Sequence, residues 1–267
     1  MKATGTAKIP GLAALLMRLM KIDAFNRMVH EAGALEGVAF TQFVFGYLGV
    51  TIEVDERDLT NIPQHGAFIA VANHPYGAIE SLALLNLLVA QRKDTLFMGN
   101  FLLKRLPSLA EYIIAVNPFE NIKDSSSISG LKNTLLKLRS GTPVAIFPAG
   151  EVSAYDFKTK QVIDREWHPV VGKLIAKAGV PVLPVYFDGN NGIGFSLLRY
   201  IHPSLQTAML PAELFNKKGK TLKVRIGKPI PFAELHSAGN NEDMLSSIRQ
   251  KTYELKQGIG SVATMSF

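Results

Sequence analysis

The chain has 267 residues, of which 47% are hydrophobic, so it can bury a substantial core and is not intrinsically disordered. It contains no cysteine, which excludes disulfides, thiolate zinc sites and a cysteine nucleophile. The formal net charge of +7 points to an anionic membrane surface, an acidic carrier protein or nucleic acid as partner. Nucleic acid is the least expected of the three, because the chain lacks RNA-binding aromatic signatures and zinc-finger spacing.

Two apolar segments open the chain. Gly11 to Phe25 has leucines at helical spacing, which predicts one helix that lies in a membrane interface or packs on the domain as a cover. Gly37 to Ile52 carries no charge but is shorter than the ~20 residues that span a bilayer, so we expect a buried helix or one that dips into a single leaflet. Residues 1–54 are therefore expected to form an N-terminal helical element that associates with the membrane, followed by an α/β domain over residues 55–267.

Strands and helices alternate along the rest of the chain. The apolar runs predict strands at Val50–Val54, Ala67–Val71, Thr95–Met98, Tyr112–Val116, Pro143–Phe147, Val180–Phe187 and Leu222–Ile226. Helices are expected at Ser81–Ala90, from a cap at Asp124 to about Arg139, at Trp167–Ala178 and at Asn241–Ile259, with a polar loop over Tyr155–Glu166. This alternation predicts a central, mostly parallel sheet flanked by helices.

A histidine and a carboxylate stand at one strand-to-helix turn. His74 follows a buried strand, Gly77 helps to break that strand, and Glu80 opens the next helix. The carboxyl ends of strands are where open α/β sheets place their ligands. Imidazole titrates near neutrality and can take a proton from a hydroxyl or amine, while a carboxylate fixes its tautomer. The spacing alone leaves open a purely structural pair, with Asn73 as a helix cap.

Three later stretches join this turn in a recognisable order. Asn73-His74 with Glu80, Gly99–Lys104, Phe147–Ser153 and Val180–Val185 resemble the four signature blocks of the glycerolipid (lysophospholipid) acyltransferase superfamily. The first turn is one residue longer than the commonest family pattern, which Gly77 can absorb because glycine adopts conformations closed to other residues. The longer turn resembles a bacterial subgroup often labelled hemolysin-like, which includes acyltransferases of amino-acid-containing lipids.

The resemblance implies roles for the residues of the first two blocks. His74 is the expected general base, and Glu80 is expected to orient it. Asn73 and Gly77 are expected beside the substrate. Lys104 and Arg105 are the cations available in the second block to hold the acceptor headgroup, or they are ordinary surface cations.

The third block implies further contacts with substrate. Pro148, Gly150 and Glu151 follow a predicted core strand. The Gly150 amide is expected to help polarise the acyl carbonyl, unless Gly150 is an ordinary turn glycine. Glu151 is expected to bind the acceptor or to order the loop. No Arg or Lys follows until Lys158, which weakens the case for a phosphate-bearing acceptor.

The resemblance thus implies transfer of a fatty acyl chain from acyl carrier protein or coenzyme A to the hydroxyl of a lyso-lipid. A lyso-aminolipid is the expected acceptor and lysophosphatidic acid the main alternative. Neither a metal nor a cofactor is required, and the expected location is peripheral, at the cytoplasmic face of a bacterial inner membrane. The apolar run after Glu80 and the uncharged N-terminal segment are expected to supply an acyl groove or to pack in the core.

Two other classes of protein remain as alternatives. A serine hydrolase or thioesterase would carry a glycine-x-serine-x-glycine elbow, which the chain lacks. A non-catalytic membrane-binding protein would retain its binding after loss of His74.

Overall fold

The computed structural model describes residues 11–116, 125–237, 239–259 and 264–265. Strands β1 to β10 are Thr51–Val54, Ile69–Ala72, Leu96–Asn100, Ile113–Val116, Val144–Ile146, Ala154–Asp156, Gln161–Ile163, Val182–Phe187, Thr221–Ile226 and Thr264–Met265. Helices α1 to α13 are Gly11–Leu19, Ile22–Ala32, Gly37–Leu48, Glu56–Leu59, Ile79–Gln91, Pro107–Ala110, Ser125–Arg139, Pro169–Ala178, Ile193–Ile201, Pro203–Ala208, Leu210–Phe215, Phe232–His236 and Asn241–Glu254. Short 3-10 helices cover Phe101–Arg105 and Leu255–Gly258. The predicted Asp124 cap lies outside the described residues.

Eight strands form one sheet in the order β10-β1-β9-β8-β2-β5-β3-β4. The block β8-β2-β5-β3-β4 is parallel throughout, whereas β9 runs antiparallel to β8 and β10 antiparallel to β1. This confirms the predicted α/β fold with a mostly parallel sheet. Val71 of β2 pairs with Ile146 of β5 on one side and with Pro184 of β8 on the other. The loops that leave these three strands therefore meet at one edge of the sheet.

Side chains of the central strand alternate between two cores. Ile69 and Val71 face the core formed with α7, α8 and α13, and Ala70 and Ala72 face the core formed with α3 and α5. All four are buried, as expected for a parallel strand covered on both faces. The alanines allow α5 to approach closely.

Helix α5 lies between the sheet and α3 and is buried on nearly every side. Its leucines each contribute about 1.5–3 kcal/mol of apolar burial to stability. Asn86 donates a 2.9 Å hydrogen bond to Thr41 of α3, which satisfies two buried polar side chains at the contact. The apolar run after Glu80 therefore packs in the core, and the structure does not support its expected use as an acyl groove.

The N-terminal segment differs from its prediction in two ways. The single helix expected over Gly11–Phe25 is divided into α1 and α2 at Lys21, whose φ of 54° is left-handed. The division expected at residue 54 coincides with no break, because β1 pairs with β9 and α3 shares the core of the sheet. In the part of the chain that the structure describes, no helix has the length and apolar character needed to cross a bilayer.

The region after the sheet centre also departs from expectation. The predicted polar loop over Tyr155–Glu166 contains the antiparallel hairpin of β6 and β7. Helices α9, α10 and α11, over residues 193–215, were not predicted. Both features lie next to the candidate site described below.

Candidate active site

The turn between β2 and α5 brings His74 and Glu80 together. His74 Nδ1 and Glu80 Oε1 lie 3.0 Å apart, within the distance of a charge pair, although the angle is not that of a well-formed hydrogen bond. Glu80 is fully buried, whereas 14% of the His74 side chain is exposed. Nδ1 faces the carboxylate, so Nε2 is the ring nitrogen left for an incoming hydroxyl.

Two backbone amides fix the Glu80 carboxylate. The N–H groups of Tyr76 and Gly77 donate to Oε1 over 2.8 and 2.6 Å. Glu80 also lies in the first turn of α5, where the helix dipole favours a negative charge. The amides of the longer turn therefore surround the Glu80 carboxylate, and the Glu80 side chain is long enough to reach His74 from the first turn of α5.

The His74 ring stacks on Phe147, which follows β5. The ring centroids are 4.0 Å apart and the planes are inclined by 24°. This contact holds the imidazole in one orientation, with Nδ1 toward Glu80. A residue of the third sequence block therefore supports the histidine of the first block directly.

A buried aspartate holds the backbone of His74. Asp164 is 1% exposed, and its Oδ1 accepts hydrogen bonds from the His74 N–H at 3.0 Å and from the Ser153 hydroxyl at 2.5 Å. The Ser153 N–H in turn donates to the His74 carbonyl at 2.9 Å. The Trp167 indole donates to Asp164 Oδ2 at 3.3 Å. Asp164 lies within the predicted polar loop, and nothing in its local sequence reveals these partners.

Asn73 has a structural role that replaces its expected contact with substrate. Its amide donates to the Phe187 carbonyl at 2.8 Å, and its Oδ1 accepts from the Phe187 N–H at 2.7 Å. The residue is 4% exposed. Asn73 therefore joins the end of β2 to β8, and its side chain is not available to a ligand in this structure.

Tyr76 closes the turn from the other side. Its hydroxyl donates to the Asp188 carbonyl at 2.7 Å, and Asn191 donates to the Tyr76 carbonyl at 2.9 Å. Burial, followed by the negative charge of Glu80, raises the pKa of Tyr76 to about 12. The phenol stays protonated at neutral pH and remains a hydrogen-bond donor.

Gly77 satisfies two requirements of the turn. Its φ is +94°, which favours glycine. A Cβ at this position would lie 2.7 Å from Val152 Cγ2 and closer still to Leu210 Cδ2. The structure thus supports the expectation that this glycine accommodates the longer turn, and its amide is engaged with Glu80.

Gly77→Ala is expected to lower the free energy of unfolding by about 3 kcal/mol, since the left-handed backbone costs about 1–2 kcal/mol and the added crowding a similar amount. Gly141→Ala is the matched control. Gly141 has a φ of +90° but no heavy atom within 4 Å of a built Cβ, so only the backbone cost applies. Urea denaturation of both variants measures the difference. Equal losses would contradict the close packing at Gly77.

The third block forms a turn after β5. Gly150 has a φ of +70°, and its N–H donates to the Phe147 carbonyl at 2.9 Å. The Pro148 carbonyl accepts from the His168 N–H, and the His168 Nδ1 accepts from the Val170 N–H and caps α8, which is a structural role. In this conformation the Gly150 amide is occupied, so it does not point to an acyl carbonyl.

Glu151 of the same turn pairs with two arginines. Arg165 lies 3.1 Å from Glu151 Oε1, and Arg199 of α9 forms an ion pair with Oε2. Arg199 is largely buried, whereas Arg165 is exposed. The turn contains no cation of its own, but two arginines from other elements supply positive charge to it. Arg165 follows β7, and Arg199 lies in α9.

A family model described as Acyltransferase matches residues 2–262. The chain belongs to the acyltransferase family. Two curated relatives are both named lyso-glycine lipid O-acyltransferase. The protein from Bacteroides thetaiotaomicron is 26% identical over 252 residues, which cover 91% of this chain and 89% of the relative. The protein from Phocaeicola vulgatus is 25% identical over 251 residues, which cover 91% of this chain and 87% of the relative.

A solved structure shares the fold of this acyltransferase. The 1-acyl-sn-glycerophosphate (LPA) acyltransferase PlsC from Thermotoga maritima aligns with a TM-score of 0.51. The alignment covers 94% of this chain and 97% of PlsC, at 15% sequence identity. At that identity the comparison supports the architecture alone.

The remaining predicted cations of the acyltransferase lie on the 3-10 helix after β3. Lys104 and Arg105 are both exposed there, and among the described residues neither forms an ion pair. They stay candidates for headgroup contact. The Arg199–Glu151–Arg165 cluster, by contrast, could not be read from the sequence, because its members lie on three separate elements.

Proposed function

We propose that the protein transfers a fatty acyl chain from acyl carrier protein or coenzyme A to the hydroxyl of a lyso-lipid, and that this acceptor is a lyso-aminolipid. The 3.0 Å approach of His74 Nδ1 to the buried Glu80 carries the proposal, because it pairs a base with the group that orients it. The names of the two curated relatives support the acceptor class.

In the proposed reaction His74 Nε2 takes the proton of the acceptor hydroxyl as its oxygen attacks the thioester carbonyl. The tetrahedral intermediate then expels the thiolate, which takes the proton back from His74 and leaves as a free thiol. Glu80 holds the imidazole and stabilises the imidazolium between these steps. The Gly150 amide serves the oxyanion only if it gives up its bond to Phe147, as a turn can do when substrate binds.

The Arg199–Glu151–Arg165 cluster is the proposed headgroup site. Two guanidinium groups face one carboxylate, so the cluster keeps an excess positive charge. Glu151 is two residues from Ser153, which contacts the His74 carbonyl, so this charge lies beside the base. An acceptor with an amino-acid carboxylate would complete the pairing, because guanidinium binds carboxylate in a two-pronged geometry.

Arg199→Gln is expected to raise the KM for a lyso-aminolipid by about tenfold, since a charge-assisted hydrogen bond contributes about 1.5–3 kcal/mol. The kcat should change by less than about threefold, because the contact is present in ground and transition states alike. Arg139→Gln, at the exposed end of α7, is the control. Initial rates over a range of acceptor concentrations give both constants. A loss of kcat at unchanged KM would contradict headgroup binding.

The same assay tests the acceptor itself. Lyso-glycine lipid and lysophosphatidic acid, offered together, compete for one donor. We expect acylated aminolipid as the main product. Predominant phosphatidic acid would instead make the phosphate-bearing lipid the acceptor.

We also propose that the protein works as a peripheral enzyme at the cytoplasmic face of a bacterial inner membrane. Leu15, Leu16 and Leu19 of α1 are about half exposed, which favours membrane contact by the N-terminal helices. The net charge of +7 suits an anionic surface.

A further inference from the structure

Helix α9 turns an apolar stripe toward solvent. Ile193, Leu197, Tyr200 and Ile201 share one side at positions i, i+4, i+7 and i+8. Ile193, Tyr200 and Ile201 are 57%, 56% and 74% exposed, while the opposite side buries Phe195. A surface helix of a soluble domain normally has the reverse arrangement, so this stripe requires an explanation.

The hairpin of β6 and β7 extends the same surface. Phe157 is 62% exposed and lies edge-on to Tyr200, with ring centroids 5.0 Å apart. The Tyr200 hydroxyl donates to the Tyr155 carbonyl at 2.6 Å, which ties the helix to the hairpin. Leu205 of α10 adds a further exposed side chain, 39% accessible. We call the surface formed by Phe157, Ile193, Tyr200, Ile201 and Leu205 the α9 face.

The charges around the α9 face are mainly positive. Residues 193–212 contain no aspartate or glutamate. Lys158, Lys160 and Arg165 are exposed on or beside the hairpin, against Asp156 and Glu166. The Asp156 carboxylate is engaged with the amides of its own turn, which lowers its pKa. An apolar face bordered by cations complements an anionic bilayer.

The α9 face is also joined to the candidate active site and to the N-terminal helices. Arg199 of α9 pairs with Glu151, on the loop that contacts His74 through Ser153. In the other direction α9 contacts α10, α10 contacts α11, and α11 contacts α2. Lys21, which precedes α2, donates to Asn216 after α11 at 3.0 Å.

From this geometry we propose that the α9 face docks on an anionic lipid bilayer and brings the acceptor hydroxyl to His74. The delivery of an acceptor to His74 rests on the proposed function. The docking surface itself is defined by exposed residues outside the His74–Glu80 pair. The apolar side chains enter the interface, and Lys158 and Lys160 contact lipid phosphates.

The test is flotation of the full chain with vesicles of phosphatidylglycerol and phosphatidylcholine. Ile193→Glu/Ile201→Glu is expected to weaken binding by about tenfold or more, since both side chains would leave the interface. Ile128→Glu/Leu136→Glu on α7 is the control; it changes two half-exposed aliphatic residues and adds the same charge. Phe157→Ser on the hairpin gives an independent variant, and circular dichroism checks that each protein folds.

Transfer to a short-chain acceptor dissolved as monomers separates this inference from the proposed function. The α9-face variants are expected to keep that activity while losing vesicle binding. Vesicle binding equal to that of the α7 control would overturn the docking surface. The docking surface would also be overturned if the α9-face variants kept vesicle binding and lost only self-association or the capture of acyl carrier protein. An inactive wild-type protein that shows the expected vesicle pattern would refute the proposed function and leave the docking surface supported.

Discussion

Replacing His74 with alanine is expected to lower the rate of acyl transfer by about a thousandfold, because a positioned general base contributes about 10²–10⁴-fold. The fold should persist, since the hydrogen bonds of His74 to Asp164 and Ser153 come from its backbone. The ring loses its contact with Phe147, so we expect about 1–2 kcal/mol of destabilisation. Initial rates with labelled acyl carrier protein measure the loss.

His65→Ala is the control for this substitution. His65 is exposed and precedes β2, so the same chemical change there leaves the dyad untouched. We expect wild-type rates from it. A His74→Ala protein that folds and retains more than about a tenth of the rate would remove His74 as the base.

Glu80→Gln is expected to lower kcat by about a hundredfold while changing stability by only about 1–2 kcal/mol. The amide keeps an oxygen that accepts from Tyr76 and Gly77, but it loses the charge that orients the imidazole and stabilises the imidazolium. Glu80→Ala should cost about 3 kcal/mol or more of folding free energy, since both amides lose their acceptor in a buried turn. Rate measurements on the two variants report how Glu80 orients the imidazole, and denaturation reports how Glu80 stabilises the fold.

Glu111→Gln, an exposed carboxylate before β4, is the matched control for charge loss and should behave as wild type. If Glu80→Gln kept full activity, Glu80 would serve only the fold of the turn. If Glu80→Gln and Glu80→Ala lost equal folding free energy, the hydrogen bonds from the Tyr76 and Gly77 amides would not be the source of the stability that Glu80 contributes.

The central sheet could be predicted because its strands are buried on both faces. Ile69–Ala72 and Val182–Phe187 are short, apolar runs, and the helices between strands have clear starts. The pairing of His74 with Glu80 could be predicted for a related reason. Both lie on one local turn, so their approach depends on a few residues.

The rest of the site depends on contacts between distant segments. Asp164 reaches His74 across the hairpin, and Arg199 reaches Glu151 from a helix that was not predicted. Prolines at 203 and 211 divide residues 193–215 into short helices, and the apolar spacing of α9 does not show which neighbours the helix contacts. Local pattern carries no information about such partners.

Asn73 illustrates the limit of a motif. Its position beside His74 implied contact with substrate, but its amide joins β2 to β8 through Phe187. A signature block thus contains residues that build the site as well as residues expected to act in it.

Acyl transfer with His74 as the base is tested by measuring both products of one reaction. Purified protein, labelled acyl thioester and lyso-glycine lipid are mixed. Mass spectrometry measures the acylated lipid, and a thiol reagent measures the free thiol of the released acyl carrier protein or coenzyme A. We expect one acylated lipid for each free thiol with the wild type, and neither product with His74→Ala. Thiol release without acylated lipid would identify a thioesterase, and equal product from both proteins would contradict the proposed base.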